Sequence, residues 1–116
     1  RYRGARADSD AAVAGYDRTL IDALRDIADL AASRTATERQ LAERRAALQA
    51  AADAARLAGL RYRAGLSNQL AQRTAEDDMV ALSRAVAELE ARERALDVAL
   101  IRALGGGYRA VHPTGE

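Results

Sequence analysis

The feature that most constrains this chain is a stretch of about 50 residues, 9–63, that contains no proline and only two glycines. Proline removes a backbone donor and glycine weakens a helix, so almost nothing here interrupts helical structure. At about 1.5 Å per residue, the predicted helix is roughly 75 to 80 Å long. Asp8, Ser9 and Asp10 are N-cap candidates, and residues 1–8 are predicted to be a connector.

A second helix is predicted from a cap at Ser67 or Asn68 to Leu104. The two helices are joined by a turn near residues 63–67. A turn between helices needs a residue that readily takes positive φ, and Gly65 is such a residue. The sequence therefore predicts a tight helical hairpin.

Three consecutive glycines, at 105–107, follow the second predicted helix. Glycine adopts the left-handed conformation past a helix C-terminus more easily than other residues. The glycines are therefore predicted to end the helix, and residues 105–116 to form a C-terminal tail. The expected fold class is all-α, with residues 9–104 forming two long antiparallel helices in a coiled-coil hairpin.

Both predicted helices carry a stripe with the spacing of packed helices. The first stripe is a seven-residue ladder of Leu20, Ile27, Arg34, Leu41, Leu48, Ala55 and Tyr62. The second alternates by four and three residues through Leu82, Val86, Leu89, Glu93, Leu96, Leu100 and Ala103. Each helix is therefore expected to present one face to its neighbour.

The turn position also predicts the register of the two helices. If it centres on Gly65 and Leu66, facing residue numbers sum to about 131. Within one helical turn, Arg34 then faces Asp97, with which it can pair, and Leu41 faces Glu90. Gly105 falls beside Asp26. Residues 9–25, which carry several large apolar side chains, are therefore expected to need a partner from outside this chain.

The alanine-rich segment 46–58 has few large side chains on any face. It either packs very closely on a neighbouring helix or is a good helix that faces water. Close packing is the favoured interpretation.

The composition excludes several classes of function. A formal net charge of +1 argues against nucleic acid as the main partner. The chain has no cysteine, and His112 is its only histidine. The sequence has no glycine-rich phosphate loop after a strand, and adjacent acids such as Asp77 and Asp78 diverge on a helix. We expect no catalytic, cofactor-binding or metal-binding residues, no membrane-spanning helix and no enzymatic activity.

Three segments together resemble the outer-membrane factor family, the TolC-like efflux and secretion channels, and in particular their last helical hairpin. Residues 16–30 are similar to the family run Y-x-x-x-V-x-x-A-x-x-E-V-x-D-A-L. Residues 60–67 resemble the family turn R-Y-x-x-G-x-x, and residues 103–108 its ending A-L-G-G-G-W. The order and separation of the segments make the resemblance fairly specific over about residues 6–108.

The resemblance implies a homotrimer in the bacterial outer membrane, with this segment forming part of a periplasmic α-helical barrel. The membrane strands would lie outside this chain. The parent protein would be a passive conduit for solutes exported by an inner-membrane pump, which it reaches through a periplasmic adaptor protein. The hairpin tip, at Tyr62, Arg63, Gly65, Leu66 and Ser67, would line the constriction and dock the adaptor.

Residues 68–74 depart from the family segment Y-L-D-V-L-D-A. Leu70 is expected to keep an apolar anchor, but the acidic residues are absent. Two interpretations of Leu66 remain open, since it either contacts a partner or covers the end of the helix–helix interface. The alternative for the whole chain is a stand-alone coiled-coil interaction or adaptor module.

Overall fold

The structure is a computed structural model that describes the backbone of residues 2–111 and the side chains of residues 7–106. Helix α1 spans Tyr2–Arg63 and helix α2 spans Gln69–Val111. Residues 2–111 contain no strand. The predicted fold class, an all-α hairpin of two long helices, is confirmed.

Helix α1 begins at Tyr2, so the predicted start near Ser9 is wrong. Residues 2–8, which were expected to lie in a connector, are helical. Asp8, Ser9 and Asp10 act as caps only where the preceding chain leaves the helical conformation. Alanine and arginine at positions 5–7 favour helix, and no proline intervenes.

Helix α2 continues to Val111, so the predicted helix stop at Gly105–Gly107 is also wrong. Within the described residues only Gly65 has a positive φ, so Gly105 does not take a left-handed conformation. Glycine destabilises a helix by about 1 kcal/mol relative to alanine but does not block it, as proline does. The predicted tail beyond Val111 lies outside the described residues.

The chain divides into two compact units, and the unit Thr35–Ala95 contains the turn. Its buried residues are Thr37, Leu41, Ala55, Gly59 and Val86. Leu48 and Leu82 are half-buried on the predicted stripes. Glu90 forms an ion pair with Arg45 at 3.5 Å. The predicted register placed Glu90 opposite Leu41, which is one helical turn from Arg45, so the ion pair agrees with that register to within one turn.

One face of the alanine-rich segment is packed. Its buried or half-buried small residues are Ala47, Ala51, Ala52, Ala55 and Ala58. Gly59 is buried next to them, and a Cβ at that position would lie 3.5 Å from Nε2 of Gln72 on α2. Small side chains let two helices approach closely, and the partial burial of this face favours packing over a helix that faces water on all sides.

The other unit joins residues up to Arg34 of α1 with residues from Leu96 of α2. The predicted ion pair is present, with Arg34 Nε 2.6 Å from Asp97 Oδ1. Half-buried positions on α1 begin at Leu20. The stretch without internal cover therefore shortens from 9–25 to 7–19 in the described residues.

Candidate functional site

The hairpin turn is built by a glycine-dependent end of α1. Gly65 has φ of 75°. Its N–H donates to the carbonyl of Tyr62 at 3.0 Å, and the N–H of Leu66 donates to the carbonyl of Arg61 at 2.8 Å. These two bonds form a Schellman motif, which satisfies carbonyls that the helix end leaves without partners. The predicted role of Gly65 in the turn is confirmed.

The start of α2 is capped by Asn68, one of the two predicted caps. Its Oδ1 accepts a hydrogen bond from the backbone N–H of Ala71 at 2.8 Å. This is the bond that an N-cap side chain makes to the third residue of a helix. Residues 64–68 are therefore held by hydrogen bonds at both ends, by the Schellman motif at the end of α1 and by the N-cap at the start of α2.

The structure brings the five predicted tip residues together in this turn. Leu66 is 79 % exposed, so it does not cover the end of the helix–helix interface. Tyr62 is also exposed and Ser67 is half-buried. Arg63 donates from Nε to the carbonyl of Gly59 at 3.3 Å, which orients its guanidinium. The exposure of Leu66 favours the interpretation in which it contacts a partner.

Two further leucines at the tip are exposed and were not predicted to be. Leu70 is 72 % exposed, so the expectation that it anchors the turn is wrong. It lies in the first turn of α2, before that helix begins its packed stripe. Leu60 is exposed on the last turn of α1. The available signal was the apolar spacing of Leu60, Leu66 and Leu70, three leucines within eleven residues that no stripe includes.

A groove of about 620 Å³ lies within the unit Thr35–Ala95. Its lining residues are Gln40, Glu43, Arg44, Ala85, Glu88, Leu89 and Arg92. The two carboxylates and two guanidinium groups are all solvent-exposed. Groups in that setting keep their hydration, so the groove offers a solvated mixed-charge surface.

No cluster of three or more histidine, cysteine or acidic side chains in the described residues has an arrangement suited to a metal ion. Neither helix, over the same residues, has a segment apolar and long enough to cross a membrane.

The chain aligns with outer-membrane efflux proteins over nearly all of its length. It is 32 % identical over 103 residues to the probable efflux pump outer membrane protein TtgC of Pseudomonas putida. The same identity holds for the antibiotic efflux pump outer membrane protein ArpC of that species. The chain is thus similar to one segment of outer-membrane efflux proteins. The outer membrane protein OprJ of Pseudomonas aeruginosa is 33 % identical over 104 residues.

These alignments cover 89 to 90 % of the chain but only 21 to 22 % of each relative. The chain thus spans about a fifth of the length of the curated relatives that it matches. No protein-family profile and no solved structure matches it. The resemblance to the outer-membrane factor family is confirmed, and the predicted roles of the tip residues stay predictions.

Proposed function

We propose that this chain is the periplasmic helical-hairpin segment of an outer-membrane efflux channel, a passive conduit for exported solutes. The observation that carries the proposal is the alignment of a confirmed hairpin, over 89 % of its length, with efflux pump outer membrane proteins. The hairpin forms part of the channel wall and offers a surface for contacts with partner proteins. An inner-membrane pump supplies the driving force for transport.

The hairpin tip is the docking surface for a periplasmic adaptor protein. Its support is the 79 % exposure of Leu66 on a turn whose backbone is fixed by two Schellman hydrogen bonds. A rigid turn that displays an apolar side chain loses little conformational freedom when it binds, so more of the contact energy becomes affinity. Tyr62, Arg63, Gly65 and Ser67 present or position this side chain.

The channel is a homotrimer in which further helices cover the unit that lacks the turn. We define the open-end surface as the large exposed apolar residues of that unit: Val13, Tyr16, Ile21, Leu24, Val98, Ile101 and Leu104. Such a concentration of apolar area is unusual for a surface that faces water. A stand-alone coiled-coil module does not need this surface, whereas a segment of a larger channel does.

The test replaces Leu66 with Glu in the full-length protein expressed in its own host. A buried carboxylate at an apolar contact is strongly unfavourable, so tolerance of exported toxic compounds should fall to that of a gene-deletion strain. Gly65→Glu should act in the same way, because a residue with a side chain is strained at the positive φ that this position requires. Val80→Glu, at an exposed apolar residue outside the turn, is the matched control.

Cross-linking of membranes from the same strains separates assembly from docking. Both tip variants should give trimers in amounts equal to wild type, because the turn is distant in sequence from the open-end surface. Unchanged tolerance in the Leu66→Glu strain would reject docking at the tip. Monomers alone in the wild-type strain would reject the trimer.

A further inference from the structure

In the unit that lacks the turn, helix α1 has two unlike sides. Leu20, Ile27 and Leu30 are half-buried and mark the stripe of α1 that packs on α2. Successive residues of a helix are about 100° apart, so Leu24 and Asp26 lie about 160° apart around the helix axis. One lies on each side of the packed stripe. The two sides of α1 are therefore separate surfaces.

The first side carries large apolar residues. Ile21 and Leu24 are three residues apart, which places them on the same side of α1. They are 55 % and 57 % exposed, and both belong to the open-end surface. An exposed apolar cluster of this kind marks a contact with other protein. In the proposed channel, this side of α1 is covered.

The second side carries carboxylates. Asp22, Asp26 and Asp29 are spaced by four and three residues, so they share this side of α1. All three are exposed, and none forms an ion pair with a residue that the structure describes. Arg25 lies between the two sides and forms no ion pair with these aspartates. Unpaired carboxylates are rarely buried, because their removal from water is costly, so this side faces water.

The conduit function restricts where the cover of the apolar side can lie. Protein packed inside the duct would block the passage of solutes, so the cover of Ile21 and Leu24 lies outside the channel wall. The chain spans only 21 % of the TtgC and ArpC relatives, so a parent of similar length has enough further chain to supply this cover. The opposite side of α1 then faces the duct.

We infer that Asp22, Asp26 and Asp29 line the duct, whereas Ile21 and Leu24 face outward against another part of the parent protein. The assignment rests on the proposed channel function and adds which side of the hairpin the solutes contact. Solutes that pass this level of the channel meet carboxylates on α1.

The experiment measures the accessibility of single cysteines in the full-length protein, purified in a non-ionic detergent. The chain contains no cysteine, so each variant introduces one thiol into this segment. Any cysteine elsewhere in the parent is first replaced by serine. Asp26→Cys probes the carboxylate side and Leu24→Cys the apolar side. Leu66→Cys, at a residue that is 79 % exposed in the turn, is the control for full accessibility.

Two reagents separate the duct from the outer surface. One is a small maleimide, and the other is a maleimide on a polyethylene glycol chain that is too bulky to enter a duct. Asp26→Cys should react with the small reagent as fast as Leu66→Cys does, but about tenfold more slowly with the bulky one. Leu24→Cys should react about tenfold more slowly with both reagents, because covering protein protects it. Labelling after denaturation in urea should be complete in every variant.

Further positions keep the test independent of any one variant. Asp22→Cys and Asp29→Cys should react as Asp26→Cys does, and Ile21→Cys should react as Leu24→Cys does. Rapid reaction of the aspartate positions with the bulky reagent would overturn the inference. Equal protection of the two sides from the small reagent would also overturn it.

Failure of the proposed function has a different signature. If there is no duct and no cover, all five positions on α1 should react with the bulky reagent as fast as Leu66→Cys does. If the channel exists but its orientation is reversed, Ile21→Cys and Leu24→Cys should react with the small reagent alone. The aspartate positions should then be open to the bulky reagent, and this result rejects the orientation while it retains the duct.

Discussion

The two units of the hairpin solve the same packing problem differently. The unit with the turn buries Thr37, Leu41, Ala55 and Val86, and small residues let its helices approach closely. In the other unit no described residue is buried, and its seven large exposed apolar side chains make up the open-end surface, whereas those of the first unit, Val80 apart, lie between Leu57 and Leu70 around the turn. A two-helix unit with small side chains completes its own interface, whereas one with large outward side chains depends on neighbours.

The most severe test of this comparison overfills the packed face. Ala55→Arg introduces a long charged side chain at a position that is 9 % exposed, and it should lower the free energy of unfolding by about 3 kcal/mol. Ala54→Arg, at the exposed neighbouring position, should be nearly neutral. Urea titration of the chain, followed by far-UV circular dichroism at fixed concentration, measures both. Equal effects would mean that the alanine face is not packed.

The next test removes one leucine from each unit. Leu41 is 2 % exposed, so Leu41→Ala should cost about 2 kcal/mol in the isolated chain. Leu24 is 57 % exposed, and Leu24→Ala should cost about 0.5 kcal/mol.

The comparison sharpens when the same pair is made in the full-length protein. There Leu24→Ala should cost more than in the isolated chain, since the proposed neighbours cover it. Thermal stability of the full-length protein extracted from membranes provides the measurement. An unchanged, small cost in both settings would contradict the idea that neighbours complete this unit.

Two glycines should respond to alanine with opposite signs. Gly65→Ala places a side chain at φ of 75° and should destabilise the chain by about 1 kcal/mol, although no other atom lies within 4 Å of the added Cβ. Gly105→Ala lies in a helix with open space around it and should stabilise by about 0.5 to 1 kcal/mol. Thermal melts at equal chain concentration report both signs. A destabilising Gly105→Ala would restore the glycine stop that the sequence suggested.

The smallest effect is expected at the ion pair between the helices. Arg34 and Asp97 are 45 % and 43 % exposed at their side chains, so water and salt weaken their attraction. A double-mutant cycle with Arg34→Gln and Asp97→Asn should give a coupling energy of about 0.5 kcal/mol, which high salt reduces. A coupling energy of zero at low salt would show that the ion pair results from the helix register and does not stabilise the hairpin.

Much of the hairpin was predictable because it depends on the residue types at the turn and on the number of residues that separate each position from the turn. A glycine such as Gly65 is favoured where the chain reverses direction directly after a helix. Asparagine, as at Asn68, is a strong N-cap residue. Counting outward from the turn predicted the contact of Arg34 with Asp97. The outer ends of the two helices were not predictable, because aspartate, serine and glycine are compatible with both a helix end and a helix interior. Propensity of about 1 kcal/mol per residue does not decide between them.

The sequence by itself determined where the chain turns, which stripes face each other and in what register, since these follow from glycine geometry and helical periodicity. Only the tertiary structure decided which side of the alanine-rich segment is buried. It alone shows that Leu66 and Leu70 are exposed near the turn, together with Arg61, Arg63 and Arg73. Exposure depends on how far each residue lies from the opposite helix, and a linear pattern does not contain that distance.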